Sequence, residues 1–247
     1  MRNVMITGAA GGLGQAMVEK FVKKEDFVFA ADLNLEQAKK LEQQYPGQVQ
    51  AVELDVTNEM SVKEAIQQVA RKGQVDVIVN NAGLQHRDKI EDFPTEKWDL
   101  LVDVMLKGTF LVTKHALPYM KEQQYGRIVN ISSVHGLVAT PQKVAYVAAK
   151  HGIIGITKVT ALEGAEFNIT ANAVLPGPVK TPLLIKQLQD LEEQGMDEAQ
   201  ALAEIIYPKQ AMKRFITPDE IADGVYFLTS SAATGITGEN LSISGGI

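Results

Sequence analysis

Short apolar runs alternate along the whole chain with longer segments in which apolar residues recur every three or four positions. The runs Asn3–Thr7, Asp26–Ala31, Gln48–Leu54, Val75–Val79, Arg127–Ile131, Ile169–Leu175 and Leu241–Ser244 predict strands. Helical periodicity extends to about Lys24 after the first run, and from about Glu96 to Lys121 as one long helix. Another helix is predicted from Thr140, with threonine as cap and Pro141 at the first position. Thr217, Pro218 and Glu220 spell a capping box ahead of a helix to about Ser230. This alternation predicts a single α/β domain over residues 1–247. Pro182 to about Ile206 is helical in pattern but polar, and Gly195 interrupts it. It reads either as a lid over a ligand crevice, about 182–215, or as a solvated helix pair.

Composition narrows the classes. At 247 residues with 45% hydrophobic content the chain can bury a large core, and its net charge of −6 disfavours nucleic acid and anionic membrane as partners. Cysteine is absent, which removes disulfides and thiolate metal sites. The histidines 86, 115, 135 and 151 lack metal-ligand spacing, so no metal is expected. The first strand starts at Asn3, leaving no room for a signal peptide, and no apolar run approaches membrane-spanning length. A cytoplasmic protein is expected.

The first strand runs directly into T-G-A-A-G-G-L-G, Thr7 to Gly14, and a helix follows. Glycines let backbone approach a pyrophosphate, and a helix amino terminus supplies unpaired N–H groups and a positive dipole end. Thr7, Gly8, Gly12, Leu13 and Gly14 are therefore candidate cofactor ligands, although glycines also serve any tight strand-to-helix turn. Asp32 ends the second strand, where a carboxylate either accepts hydrogen bonds from a ribose or caps the next turn. Leu33 follows it and no Lys or Arg is placed for a 2′-phosphate, so NAD is expected rather than NADP. Asp55 and Val56 at the third strand's end either bracket an adenine or, with Thr57 and Asn58, start the next helix. The fourth strand leads into N-N-A-G, where Asn81, Ala82 and Gly83 either admit the cofactor against the backbone or make a plain turn.

Tyr146 and Lys150 stand four residues apart, hence on one face of a helix. A phenol is a poor base at neutral pH, and an ammonium beside it favours the phenolate. Ser133, at a strand's carboxyl end, adds a hydroxyl. The same pair also suits a solvated helix face.

T-G-x-x-x-G-x-G, N-N-A-G, the strand-borne Ser133 and Y-x-x-x-K together resemble the short-chain dehydrogenase/reductase family, over essentially Asn3 to Gly246. The resemblance implies a doubly wound parallel sheet of Rossmann type, a nicotinamide cofactor and hydride transfer. It also implies Tyr146 as acid–base, Lys150 as its tuner and ribose ligand, and Ser133 as partner of the substrate oxygen. In P-G-P-V-K-T, Pro176, Gly177 and Val179 would pass the nicotinamide carboxamide and Thr181 the phosphates. Small residues recur on the Tyr146 helix as Ala145, Ala149, Gly152 and as Ala148, Gly152, Gly155. They serve either packing within one subunit or the helix interface of a homotetramer, which the family commonly forms. The chain departs from the family at Met105, where an Asn usually anchors a water in a proton relay.

Gln85-His86, His135-Gly136-Leu137, I-E-D-F-P-T-E-K-W and K-V-T-A-L-E further resemble the bacterial 3-hydroxybutyrate dehydrogenases. That group implies a small carboxylate substrate held by Gln85, His135, Lys143 and Gln187, and oxidised to acetoacetate in ketone-body metabolism. Several convergent donors, one cationic, suit a carboxylate. Lys143 in a helix's first turn opposes the dipole. Pro178 replaces the Trp that many of these enzymes place beside the substrate methyl. The rival expectations are a 3-oxoacyl-thioester reductase, a sugar or polyol dehydrogenase, and a non-catalytic cofactor sensor.

Overall fold

The computed structural model describes residues 1–180 and 210–247, with 195, 197 and 200 between them. Strands β1 (Asn3–Thr7), β2 (Phe27–Asp32), β3 (Val49–Glu53), β4 (Val77–Asn80), β5 (Gly126–Ile131), β6 (Ile169–Pro176) and β7 (Asn240–Ile243) form one sheet in the order β3-β2-β1-β4-β5-β6-β7. Every neighbouring pair is parallel. The doubly wound parallel sheet is thus present, and the strand order reverses between β1 and β4. In such sheets the carboxyl ends at the reversal form the ligand crevice. Here those ends carry the glycine turn and N-N-A-G.

Successive side chains of a strand point to opposite faces. Val4 and Ile6 of β1, with Val28 and Ala30 of β2, pack on α1 (Gly12–Val22) through Met17, Val18 and Phe21. The same face receives Ile221, Val225 and Leu228 of α7 (Pro218–Thr229) and Leu41 of α2 (Leu35–Gln44). Met5, Phe27 and Phe29 face the other way, onto Val62, Ile66 and Val69 of α3 (Glu59–Lys72) and Leu111, Val112 and Met120 of α5 (Gly108–Glu122). The helix α6 (Val144–Gly164) lies on this second layer beside α4 (Thr95–Val102).

Two helix expectations change and one holds. The long helix runs without interruption from Thr95 to Glu122 but passes between α4 and α5 through a π-helical turn, Asp103–Lys107, with Met105 at its centre. The capping-box helix forms as expected, Thr217 and Glu220 each satisfying the other's backbone N–H. The Tyr146 helix starts at Val144, not near Thr140. Gln142 adopts φ +65°, a left-handed conformation that no helix continues through, so Thr140 and Pro141 belong to a turn. Lys143 is accordingly the residue before the helix, at φ −125°, and not in its first turn. The proposed lid, apart from residues 195, 197, 200 and 210–215, lies outside the described residues.

Candidate active site

The glycine turn is shaped by close approach of backbone. Gly8 takes φ +62°, and a Cβ there would stand 2.9 Å from the Ala82 Cα. At Gly14 a Cβ would meet the Gly8 carbonyl oxygen at 2.3 Å, so the first turn of α1 sits directly on the loop. Gly11 precedes α1 with no side-chain cap, and the first turn holds no acidic residue. Its leading N–H groups and dipole therefore face the crevice open to an anion. Leu13 packs on the core and holds that turn down.

N-N-A-G is stitched to this loop. Thr7 Oγ1 accepts from the N–H groups of Asn81 (3.0 Å) and Ala82 (3.1 Å), and Asn81 Nδ2 donates to the carbonyls of Thr7 and Gly8 at 3.0 Å. Asp32 accepts from Ala10 N–H through Oδ2 and from Asn34 N–H through Oδ1, both at 2.9 Å. It therefore braces the turn, and its remaining lone pairs point to no other protein donor among the described residues. Asp32 registers with Glu53 across the β2–β3 pair, which sets two carboxylates at that end of the crevice, and Leu33 is 69% exposed beside them. Asp55 Oδ1 accepts from Thr57 N–H and Oγ1, Asn58 caps α3, and Val56 is buried against Gly108. A nicotinamide dinucleotide fits these residues: an uncapped helix terminus for the pyrophosphate, a strand-end carboxylate for the ribose, and glycines where a Cβ would collide.

β5 delivers Ser133, which is 6% exposed and accepts from His135 N–H at 3.1 Å. Its hydroxyl also faces the Tyr146 phenol. Burial pushes the Tyr146 pKa above its ordinary value, and the Ser133 hydroxyl opposes that rise. The direction is opposite to the one expected from a neighbouring ammonium. Lys150 does not offset the rise: it is 4% exposed, its Nζ donates to the Ile131 carbonyl at 2.7 Å, and it lies 5.4 Å from the Tyr146 ring centre. Burial lowers the Lys150 pKa to about 8.

The His135 ring stands edge-on to Tyr146 at 5.9 Å, with Nδ1 3.3 Å from Ser133 Oγ and Nε2 3.0 Å from Thr140 Oγ1. Gln85 follows N-N-A-G and its Nε2 is buried without a hydrogen-bond partner. Buried polar groups are rarely left so, and a ligand atom is one remedy. Gly177 is locked to β7, donating from its N–H to the Ile243 carbonyl at 3.0 Å, while a Cβ on it would meet Ser244 Cα at 2.8 Å. Val179 is buried and bridges Ile216. Pro176 ends β6. Thr181 and Gln187 lie outside the described residues.

Met105 is fully buried against Leu101, Ala145, Ala149 and Ile153. Its carbonyl accepts from Thr109 Oγ1 at 2.7 Å, and its sulfur stands 3.8 Å from where a Gly83 Cβ would be. The side chain contributes apolar packing and no polar bridge. Ala145, Ala149 and Gly152 are consumed in this packing within the subunit, whereas Ala148 and Gly155 remain exposed.

One feature went unread in the sequence. Asn80 Nδ2 donates to Asn130 Oδ1, and Asn130 Nδ2 to Thr157 Oγ1, both at 2.8 Å, joining β4, β5 and α6 beneath the site. Ser132 Oγ adds a bond to the Lys150 carbonyl at 2.9 Å. The available signal was polar residues inside apolar runs, at positions that register as Asn80 with Asn130.

Comparison with known proteins agrees with this geometry. A short-chain dehydrogenase family model described as Enoyl-(Acyl carrier protein) reductase matches residues 8–247. The D-beta-hydroxybutyrate dehydrogenase of Cupriavidus necator is 40% identical over 251 residues, 99% of this chain and 97% of that protein. The 3-oxoacyl-(acyl-carrier-protein) reductase FabG of Thermotoga maritima is 38% identical over 247 residues, 98% of this chain and 96% of that protein. Among solved structures, that of levodione reductase superposes with a TM-score of 0.92 at 29% identity, covering 99% of this chain and 96% of the other. No described helix is long and apolar enough to cross a membrane. Sheet order, glycine turn, Ser133–Tyr146–Lys150 and these relatives lead to one conclusion: the chain belongs to the short-chain dehydrogenase/reductase family of nicotinamide-dependent oxidoreductases.

Proposed function

We propose that this protein oxidises a small 3-hydroxy acid, 3-hydroxybutyrate to acetoacetate, with NAD as acceptor. The observation that carries the carboxylate reading is the buried, unpartnered Nε2 of Gln85 beside N-N-A-G. His135 next to Tyr146, and the resemblance to a D-beta-hydroxybutyrate dehydrogenase along nearly the whole chain, support it. NAD is favoured by Asp32, since a 2′-phosphate would meet the carboxylate at the end of β2. Held by the glycine turn and Asp32, NAD would supply the acceptor for the hydride of the carbinol carbon. In its phenolate form Tyr146 would take the hydroxyl proton at Oη, with Ser133 Oγ donating to the same oxygen. Lys150 holds positive charge beneath the phenol, and Gln85, His135 and Lys143 orient the carboxylate. Gln187 and Thr181 complete the substrate and phosphate contacts in the same reading. The exposed apolar residues Leu100, Phe110, Val159 and Leu162 on α4, α5 and α6 support assembly through these helices; a tetramer in the cytoplasm belongs to the same proposal.

Gln85→Leu tests the carboxylate contact. Losing a charge-assisted hydrogen bond should cost about 1.5–3 kcal/mol, roughly 10–150-fold in kcat/KM for the acid. The methyl ester should be affected far less. Equal losses on acid and ester would remove Gln85 from substrate recognition.

A further inference from the structure

The crevice uses the carboxyl ends of the strands, and a second cavity opens at their amino ends. It measures about 380 Å³ and is walled by Arg2 before β1, Asp26 before β2, Tyr125 and Arg127 at β5, and Ser231 and Thr234 after α7. The two arginines differ in what they bind. Arg2 gives its Nε and Nη2 to the two carboxylate oxygens of Asp26 and its Nη1 to the Thr229 carbonyl. Arg127 bonds only through Nη1, to the carbonyls of Gly126 (2.7 Å) and Asn168 (2.8 Å). Its Nε is buried with no partner, and its Nη2 makes no hydrogen bond to any described residue.

Arg127 is 3% exposed and forms no ion pair among the described residues. A buried charge without a counter-ion is costly. The Tyr125 ring, 4.4 Å from the guanidinium carbon, offsets part of this. Burial still pushes the Arg127 pKa down, and the positive charge of Arg2 pushes it the same way. The charged residues of the wall are two arginines and one aspartate, a net of +1. What remains unpaired is the Nε–Nη2 edge, the edge that grips carboxylate and phosphate with two parallel bonds.

We propose that this cavity is an oxyanion site, in which phosphate or an anion of like chemistry sits on the open edge of Arg127. The Ser231 and Thr234 residues form its exposed rim. The site lies at the opposite end of the strands from the glycine turn, so its occupant stabilises the fold without entering the reaction.

The test is thermal unfolding with inorganic phosphate, against chloride at equal ionic strength, with nicotinamide cofactor saturating so that phosphate is kept from the α1 terminus. At ten times its dissociation constant phosphate should raise Tm by about 3–6 °C, saturably. Arg127→Met should abolish the rise. Thr234→Glu, an exposed change that supplies an internal carboxylate, should abolish it too while leaving turnover unchanged. If Arg127→Met does not fold, Thr234→Glu decides alone. No response beyond chloride in the wild type, or an equal response in Thr234→Glu, overturns the site.

Discussion

Replacing Lys150 by Met gives the sharpest physical test of how the helix carrying Tyr146 and Lys150 is built. The ammonium is 4% exposed, and burial lowers its pKa from 10.5 to about 8. Solvent screening is slight at such a site. Below pH 8 the lysine is charged in both folded and unfolded chains, and the folded state carries the whole desolvation penalty. Between about pH 8 and 10.5 the unfolded chain holds more protons than the folded one, so this group's penalty shrinks as pH rises. The shift corresponds to about 3 kcal/mol, most of it recovered by pH 10. Met has similar length and no charge, so the stability advantage of Lys150→Met over wild type should fall by about 2–3 kcal/mol from pH 7 to pH 10. Urea unfolding of both proteins at several pH values measures this, and other titrating groups cancel in the difference. A difference constant with pH would refute a depressed Lys150 and, with it, the buried ammonium beneath Tyr146.

Two further substitutions address the reaction. Tyr146→Phe keeps the ring and removes the proton carrier, so kcat should drop by about 10²–10⁴-fold while cofactor affinity measured by fluorescence titration stays within about twofold. Asp32→Ala removes the strand-end carboxylate, which should cost about 1–3 kcal/mol of NAD preference, or 5–150-fold in the NAD:NADP ratio of kcat/KM. An unchanged ratio would show that the carboxylate does not read the ribose.

The sheet was legible because every strand is a short apolar run, each placed within a few residues of its observed ends, and the glycine turn marked where β1 becomes α1. The two turns that mattered chemically were less so. Gln142 is a polar residue in a left-handed conformation, for which side-chain type is a weak signal, and so Thr140-Pro141 read as a helix start. The π turn at Asp103–Lys107 leaves apolar periodicity nearly intact, because one extra residue per turn is a local change. Tyr146 and Lys150 were found from spacing alone, but spacing carries no burial. Burial decides that Tyr146 rises and that Lys150 turns to the Ile131 carbonyl. The Asn80–Asn130–Thr157 chain needed the β4–β5 register, which a one-dimensional pattern does not contain.

The central claim is tested most directly by NAD reduction in a panel of 3-hydroxybutyrate, its methyl ester, 2-butanol and a polyol, each repeated with NADP. The account predicts that kcat/KM for the acid exceeds that for the ester and for 2-butanol by at least about tenfold, the worth of one charge-assisted contact, and that NADP supports little turnover. Equal turnover of neutral alcohols and acid would leave the family intact and contradict the carboxylate-reading site.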